Sequence, residues 1–240
     1  MIRELTVVVP AANEEKLIAA CLRSIELACK AVRRGTGGRV RADVLVVLDC
    51  CHDRSAEIVA RFADVSAILV DERCVGGVRA VGAEVAIRRA ARLDELWLAN
   101  TDADSVVPPD WLTHMLAQAE RGADVVLGTV LPGDELSQHA RQAWLDKHDL
   151  TDGHRHVHGA NLGIRASSLA ALGGWAPLVT GEDVELVSRA TAAGYALART
   201  GSIPVRSSAR VHGRAPQGFS SYLRGLLRGN TADEADSLIA

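Results

Sequence analysis

Two carboxylates one residue apart, Asp102 and Asp104, are the side chains in this sequence best placed to do chemistry. They follow an apolar run at residues 93–99, which we predict to be a strand. Extended backbone points the side chains of residues i and i+2 to one face, where two negative charges repel unless a cation lies between them. Hard divalent ions take oxygen ligands of this kind. The alternative is that both are turn or helix-cap aspartates.

Two further charged residues follow predicted strands of the first half. Asp49 comes directly after a buried run at residues 44–48, with a turn aspartate as the alternative. Arg79 lies in a predicted helix that begins after a Gly-Gly pair, where close backbone approach and a helix N-terminus favour phosphate. The alternative for Arg79 is a solvated helix arginine.

The second half adds carboxylates and histidines. Glu182 and Asp183 open a predicted helix, where carboxylates can be catalytic or can only complement the helix dipole. His154, His156 and His158 alternate along the chain and would share a face if extended, which raises a zinc site as the rival to a structural or acceptor-loop role. The adjacent cysteines at positions 50 and 51 cannot easily share one tetrahedral ion, so we interpret them as loop packing.

Composition limits the classes of protein to consider. The chain has 240 residues, 48% hydrophobic and 24% charged, which suits one large globular domain. A net charge of −3 gives no electrostatic reason to expect nucleic acid. No apolar run approaches the roughly 20 residues that span a bilayer. Five cysteines without a Cys-x-x-Cys pair are typical of a reduced protein, so we predict a cytoplasmic location.

The elements that must position these side chains alternate between strand and helix. Strand followed by helix occurs four times up to residue 130, which predicts a parallel α/β sheet with right-handed crossovers. Asn13 is predicted to cap the first helix. In the second half we expect a polar helix over residues 137–150 and two strands, at 195–199 and 203–206. Neither a P-loop nor a Gly-x-Gly-x-x-Gly dinucleotide motif occurs.

Taken together, these residues resemble the family 2 glycosyltransferases with the GT-A fold. The resemblance covers roughly residues 4–215 and rests on motifs in the family's order: Val7 to Glu15, Val46 to Asp53, Arg79, Asp102 to Asp104, and Glu182 with Asp183. It implies an α/β fold with a mostly parallel central sheet flanked by helices. A Rossmann-like half at residues 1–131 would bind the nucleotide sugar, residues 132–215 would receive the acceptor and carry the base, and residues 216–240 would form a C-terminal helix and tail.

The resemblance also assigns roles to residues. Asp183, with Glu182 beside it, would be the catalytic base of an inverting transfer from a nucleoside-diphosphate sugar to a hydroxyl. Asp104, Asp102 and His212 would hold Mn²⁺ or Mg²⁺. The residues expected to contact the donor are Pro10, Ala12, Glu14, Asp49, Arg79, Asp102, Ala103, Asp104 and Arg214. Asp49 would hold the base, and Arg79 would approach base or phosphate.

Departures from the family pattern narrow the prediction. Leu48 stands where the family commonly has a first aspartate, which leaves the identity of the base open. The Gln-x-x-Arg-Trp helix and the membrane spans of processive synthases are missing from the sequence, which favours a soluble, non-processive bacterial type. The expected partners are a UDP-sugar, a hydroxyl acceptor and a second copy in a homodimer. Two other functions stay open: a sugar nucleotidyltransferase and a non-catalytic nucleotide-sugar binding module.

Overall fold

One eight-stranded sheet organises residues 1–210, the part of the chain that the computed structural model describes. The strands are β1 (Glu4–Ala11), β2 (Arg41–Asp49), β3 (Val65–Val70), β4 (Leu96–Asn100), β5 (Ser105–Val106), β6 (Val125–Pro132), β7 (Leu162–Arg165) and β8 (Leu197–Ser207). They lie in the order β3-β2-β1-β4-β7-β6-β8-β5. Strands β7 and β5 run antiparallel to their neighbours, and the other neighbouring pairs are parallel.

Helices cover both faces of this sheet. They are α1 (Ile18–Gly35), α2 (Ser55–Val59), α3 (Val75–Arg89), α4 (Trp111–Glu120), α5 (Gln138–Leu145), α6 (Ala166–Ala171) and α7 (Glu182–Ala192). Successive strand residues point to opposite faces. Val7 and Val9 therefore join the core under α1 and α4, whereas Val8 packs with Val78 of α3. Leu98 and Leu127 pack with residues of α3, α6 and α7. The predicted α/β architecture, with a mostly parallel sheet flanked by helices, is confirmed.

Three local predictions differ from the structure. Helix α1 begins at Ile18 without a side-chain cap, and Asn13 instead adopts a φ of 53° and accepts a hydrogen bond from the backbone N–H of His52. The polar helix expected over residues 137–150 is shorter, Gln138–Leu145. The two strands expected at 195–199 and 203–206 form one strand, β8, because their pairing with β6 continues across an irregularity between Gly128 and Val130.

Asn161 fixes the middle of the sheet. Its Nδ2 donates to the carbonyl oxygens of Thr129 and Ile203, both at 2.8 Å, and its Oδ1 accepts a 2.8 Å bond from Trp111 Nε1. Gly128 must lack a side chain there, because a Cβ would lie 2.2 Å from Asn161 Nδ2. Both polar atoms of this buried amide have hydrogen-bond partners, so Asn161 helps to fix the register between β6 and β8.

Both predicted halves contribute to this one sheet. Strand β8 belongs to the second half, yet it pairs with β6 and with β5, which directly follows the Asp102–Asp104 segment. Within residues 1–210, no helix combines the length and apolar character needed to cross a membrane.

Candidate active site

A cavity of about 520 Å³ lies beyond the carboxyl ends of β1, β2 and β4 and reaches the start of α7. Crevices at this edge of an α/β sheet are the usual place for ligands. The cavity lining includes the predicted site residues of the described chain, which are Pro10, Ala12, Glu14, Asp49, Arg79, Asp102, Ala103, Asp104, Glu182 and Asp183. His212 and Arg214 lie outside the described residues, so the predictions for them stay predictions.

The turn after β1 forms one wall. Asn13 takes a left-handed backbone conformation, and the next residue, Glu14, is buried. The backbone N–H of Glu14 donates to Ser55 Oγ at 2.7 Å, and that of Glu15 donates to the Asp53 carboxylate at 2.9 Å. The loop after β2 therefore holds the loop after β1, which fixes the direction in which Glu14 faces the cavity.

The Asp49 carboxylate accepts hydrogen bonds from the backbone of a neighbouring turn. Its Oδ1 accepts the backbone N–H of Glu72 at 2.9 Å, and its Oδ2 accepts that of Arg73 at 3.0 Å. The carboxylate therefore anchors the turn that follows β3, as the turn-aspartate alternative requires, while Asp49 also lines the cavity. Its expected contact with the base stays a prediction.

Asp102 and Asp104 lie in a tight turn that leads from β4 to β5, closed by a bond from the Ser105 N–H to the Asp102 carbonyl. Each carboxylate is paired with a different arginine. Asp102 Oδ1 accepts a 2.6 Å bond from Arg79, and Asp104 Oδ2 lies 2.9 Å from Arg210 Nη2. The side chain of Asp102 is 37% exposed and that of Asp104 only 13%. The pair thus has one open and one enclosed member.

Burial raises the pKa of Asp104 to about 7, and the negative charge of Asp102 adds to that effect. The Arg210 guanidinium and a hydrogen bond from Ser207 act in the opposite direction without cancelling it. A raised carboxyl pKa means that the negative form lacks compensation, and a further cation would supply it.

The donor set agrees with a hard divalent ion bound together with a ligand. Among residues 1–210, no three histidine, cysteine, aspartate or glutamate side chains converge as a metal site. Asp102 and Asp104 supply two carboxylates, and Mg²⁺ is commonly held by one or two carboxylates plus substrate phosphates and water. The residues present therefore fit a metal that arrives with a diphosphate, and they do not form a complete protein cage.

Arg79 connects this carboxylate pair to helix α7. It is 1% exposed, donates from Nη2 to Asp102 and from Nε to Glu182 Oε1 at 3.1 Å, and lies over the ring of Trp175. Gly159 allows this position, because a Cβ there would lie 2.7 Å from Arg79 Nη2. The guanidinium therefore places a fixed positive charge between the two halves of the cavity.

Glu182 and Asp183 begin helix α7, after Gly181 in a left-handed conformation with φ of 77°. Asp183 Oδ2 accepts the N–H of Gly159 at 2.6 Å, and its Oδ1 accepts that of Val184 at 2.9 Å. Burial raises the pKa of both carboxyl groups, against the opposing charge of Arg79. The two backbone donors orient the Asp183 carboxylate at the cavity wall.

The histidines form a row of rings instead of converging. His148 stacks on Trp144 with 3.4 Å between centroids, and the His148–His156, His154–His156 and His156–His158 centroids are 5.1, 5.8 and 5.9 Å apart. His154 Nε2 lies 3.2 Å from the Leu127 carbonyl, which requires a proton on that nitrogen. Burial, aided by the neighbouring imidazoles, lowers the pKa of His158 to about 3.

Sequence reasoning missed the role of Arg210. Its guanidinium donates to both oxygens of Glu14, at 2.9 and 2.6 Å, and also contacts Asp104. Glu14 precedes Arg210 by 196 positions, and Asp104 precedes it by 106 positions (210 − 104). At such separations, sequence spacing could not reveal these contacts. The only available signal was an arginine just after the last predicted strand.

Comparisons with known proteins agree with this geometry. The sequence model of the family described as glycosyl transferase family 2 matches residues 6–172. The undecaprenyl-phosphate 4-deoxy-4-formamido-L-arabinose transferase of Pseudomonas fluorescens (strain Pf0-1) is 33% identical over 128 residues, which is 52% of this chain and 34% of that protein. The match therefore spans about a third of the length of this curated relative.

Two solved structures share the fold. The mannosyltransferase PcManGT from Pyrobaculum calidifontis, in complex with GDP-Man and Mn²⁺, superposes with a TM-score of 0.65 at 20% identity, over 96% of this chain and 66% of that one. S. aureus TarS 1–349 in complex with UDP-GlcNAc gives 0.64 at 16% identity, over 98% and 69%. At these identities the likeness shows the fold alone, and the predicted GT-A architecture is confirmed.

Proposed function

The chain belongs to glycosyl transferase family 2, and on that premise we propose that it moves a sugar from a nucleoside-diphosphate donor to an acceptor hydroxyl, with inversion at the anomeric carbon and with Mn²⁺ or Mg²⁺. The observation that carries the proposal is one cavity that the two sets of carboxylates share. It brings the Asp102–Asp104 pair, suited to a metal and a diphosphate, together with the helix-start carboxylate Asp183.

The donor would lie along the edge formed by β1, β2 and β4. Pro10, Ala12 and Glu14 would contact the nucleoside, and Asp49 would stand beside the base. UDP is the first candidate, because TarS binds UDP-GlcNAc, but PcManGT binds GDP-Man within the same fold. The base is therefore the part of the donor to be decided by experiment.

The diphosphate would lie against the Asp102–Ala103–Asp104 turn. Asp104 and Asp102 would hold the divalent ion, which when bound neutralises the charge that develops on the leaving diphosphate. Arg79 acts on the diphosphate region indirectly, because its hydrogen bonds orient the carboxylates of Asp102 and Glu182. Its buried charge adds a fixed positive potential at no cost of reorganisation.

Asp183 would take the acceptor's proton. The acceptor oxygen forms a bond to the anomeric carbon, the bond from that carbon to the donor phosphate oxygen breaks with its electron pair, and the hydroxyl proton goes to the Asp183 carboxylate. Hydrogen bonds from the Gly159 and Val184 N–H groups hold the carboxylate in place. Attack from the side opposite the leaving group inverts the anomeric centre.

The test is a donor screen with product identification. The protein is incubated with several UDP- and GDP-sugars and Mn²⁺, and phosphorus NMR identifies the nucleotide product of transfer or slow hydrolysis. A nucleoside diphosphate is expected. In a parallel reaction with added pyrophosphate, formation of a nucleoside triphosphate and a sugar 1-phosphate would instead indicate a nucleotidyltransferase. Binding without turnover in either reaction would indicate a non-catalytic module.

Variants make that screen specific. Asp104→Asn and Asp183→Asn should each lower nucleoside diphosphate release, whereas Asp134→Asn, at an exposed carboxylate that pairs only with surface arginines among the described residues, should not. Release that is the same in all three variants would overturn the proposed assignment of the site.

A further inference from the structure

Arg210 contacts two carboxylates of the cavity, those of Glu14 and Asp104. Its Nη1 donates to Glu14 Oε2 at 2.9 Å and its Nη2 to Glu14 Oε1 at 2.6 Å, in the bidentate geometry that suits a guanidinium and a carboxylate. The same Nη2 lies 2.9 Å from Asp104 Oδ2. One positive group is therefore shared by two carboxylates whose side chains are 7% and 13% exposed.

Both oxygens of Asp104 are already engaged. The Ser105 and Ser207 hydroxyls, which are themselves buried, both lie 3.4 Å from Oδ1, and Arg210 occupies Oδ2. Arg79, which also lines the cavity, is committed to Asp102 and Glu182. A cation that binds Asp104 Oδ2 must therefore share this oxygen with the Arg210 guanidinium or displace it.

We propose that Arg210 is a built-in counter-cation of Asp104, and that a divalent ion binds this carboxylate by displacing the guanidinium. The inference rests on the metal site of the proposed function. Two positive charges close to one carboxylate oxygen repel each other strongly in a partly buried site. Arg210 partly compensates two buried carboxylates until metal and diphosphate arrive. Metal entry then moves its side chain away from Asp104, so that it contacts only Glu14 or also the diphosphate.

Direct metal titration tests the exchange without turnover. Binding of MnCl₂ alone to the nucleotide-free protein is followed by the loss of the electron paramagnetic resonance signal of free Mn²⁺. Arg210→Ala removes the competitor and should tighten the Mn²⁺ dissociation constant on the order of tenfold, about 1.4 kcal/mol. Arg210→Lys keeps the positive charge but loses the bidentate geometry of the guanidinium. Its Mn²⁺ dissociation constant should therefore lie between those of the wild type and Arg210→Ala.

Arg206→Ala is the matched control. It removes an arginine four positions earlier whose Nη1 contacts the exposed Asp134 at 3.1 Å, so the net charge changes equally. Its Mn²⁺ dissociation constant should stay within about twofold of the wild type, since an exposed charge that is paired with Asp134 is screened by solvent. An equal change in both variants would reduce the effect to net charge and overturn the proposal.

Thermal unfolding provides a second readout. Arg210→Ala should melt below the wild type without metal, and saturating Mn²⁺ should restore most of the difference, because the ion replaces the missing positive charge. A loss that Mn²⁺ does not restore, or unchanged or weaker Mn²⁺ binding by Arg210→Ala, would overturn the exchange. If neither the wild type nor the variant binds Mn²⁺, even with UDP, the metal site of the proposed function fails as well. The wild-type titration therefore separates the two failures.

Discussion

Arg79 and Glu182 form a buried ion pair that joins helix α3 to the first residue of helix α7 across 103 positions of the chain. Through its second bond, to Asp102, the same guanidinium connects the proposed metal-binding turn to the helix that carries the proposed base. Arg79 therefore helps to set the distance between the Asp102–Asp104 pair and Asp183.

Removal of that guanidinium should be costly. Arg79→Gln leaves two carboxylates without their partner, so the free energy of unfolding should fall by about 3–5 kcal/mol in urea denaturation. Arg79→Lys should recover only part of it, because an ammonium cannot match the fork geometry. The control is Arg41→Gln, at a 60% exposed arginine paired with Glu4 and Asp43, which should cost at most about 1 kcal/mol. Equal losses would contradict the assigned role.

Asp183→Asn should separate chemistry from binding. The amide keeps the size of the side chain and can still accept the N–H of Gly159, but it cannot take a proton. We expect kcat to fall on the order of 100- to 10,000-fold in a nucleotide-release assay, with little change in donor affinity. Near-normal turnover would move the role of base to Glu182 or to the loop around His158, and parallel loss of donor binding would indicate a structural cap.

Mn²⁺ and UDP should stabilise the protein together more than either does alone. At about 100 times its dissociation constant a ligand adds roughly 2.7 kcal/mol to the free energy of unfolding. Asp104→Asn should abolish the synergy in thermal shift measurements, because it removes the charge that holds the ion. Asp110→Asn changes an exposed aspartate six positions later and should retain it. Synergy that persists in Asp104→Asn would refute the assignment of that carboxylate.

Gly76 sets the position of the loop that precedes Asp183. A Cβ at this residue would lie 2.1 Å from the Ala176 carbonyl oxygen and 2.6 Å from the Leu178 nitrogen. Gly76→Ala must therefore push the loop away, and we expect a loss of about 1–3 kcal/mol in stability together with reduced turnover. Gly35→Ala, whose Cβ meets only ordinary contact with Thr113, is the control. Normal turnover in Gly76→Ala would show that the loop tolerates displacement.

The histidine row predicts a pH dependence of stability. The pKa of His158 falls from 6.5 in the free side chain to about 3 in the fold. The unfolded chain therefore binds more protons between these values, and the contribution to stability is complete above pH 6.5 and is lost as the pH falls toward 3. The slope for this group should approach about 1.4 kcal/mol per pH unit.

Urea unfolding at pH 7.5, 6 and 5 measures this slope. His158→Gln should flatten the profile, whereas His52→Gln, at an exposed histidine outside the row, should leave it unchanged. A profile of His158→Gln as steep as that of the wild type would place the acid sensitivity elsewhere.

The sequence predicted those elements whose pattern is local. The apolar runs that form β2 and β4, and the alternation of strand and helix up to residue 130, follow from periodicity. Strand β7 has only four residues, Leu162–Arg165, and its antiparallel place between β4 and β6 is fixed by long-range pairing that no local pattern encodes.

The candidate site also combines features with a local sequence pattern and features that depend on long-range contacts. The carboxylates at strand and helix ends could be identified from their positions, and each lines the cavity. The partners of these carboxylates could not be identified, since Arg79 was assigned to base or phosphate and Arg210 was assigned nothing. Which arginine neutralises which carboxylate depends on side chains that come close only after the sheet has formed.

The pairing of β8 with β5 affects the order in which parts of the cavity can form during protein synthesis. Ser207 contacts Asp104 from 103 positions later in the chain, and the Ser208 N–H donates to the Asp104 carbonyl. Ribosomes add roughly 5–20 residues per second, so Asp104 is made about 5–20 s before these contacts can exist. A nascent chain can arrange β3, β2, β1 and β4 during that delay, but the surroundings of its Asp104 are incomplete. The proposed metal site therefore forms later than the edge of β1, β2 and β4 that we propose for the donor. A nascent chain that lacks β8 should be able to form that edge before it can retain the ion.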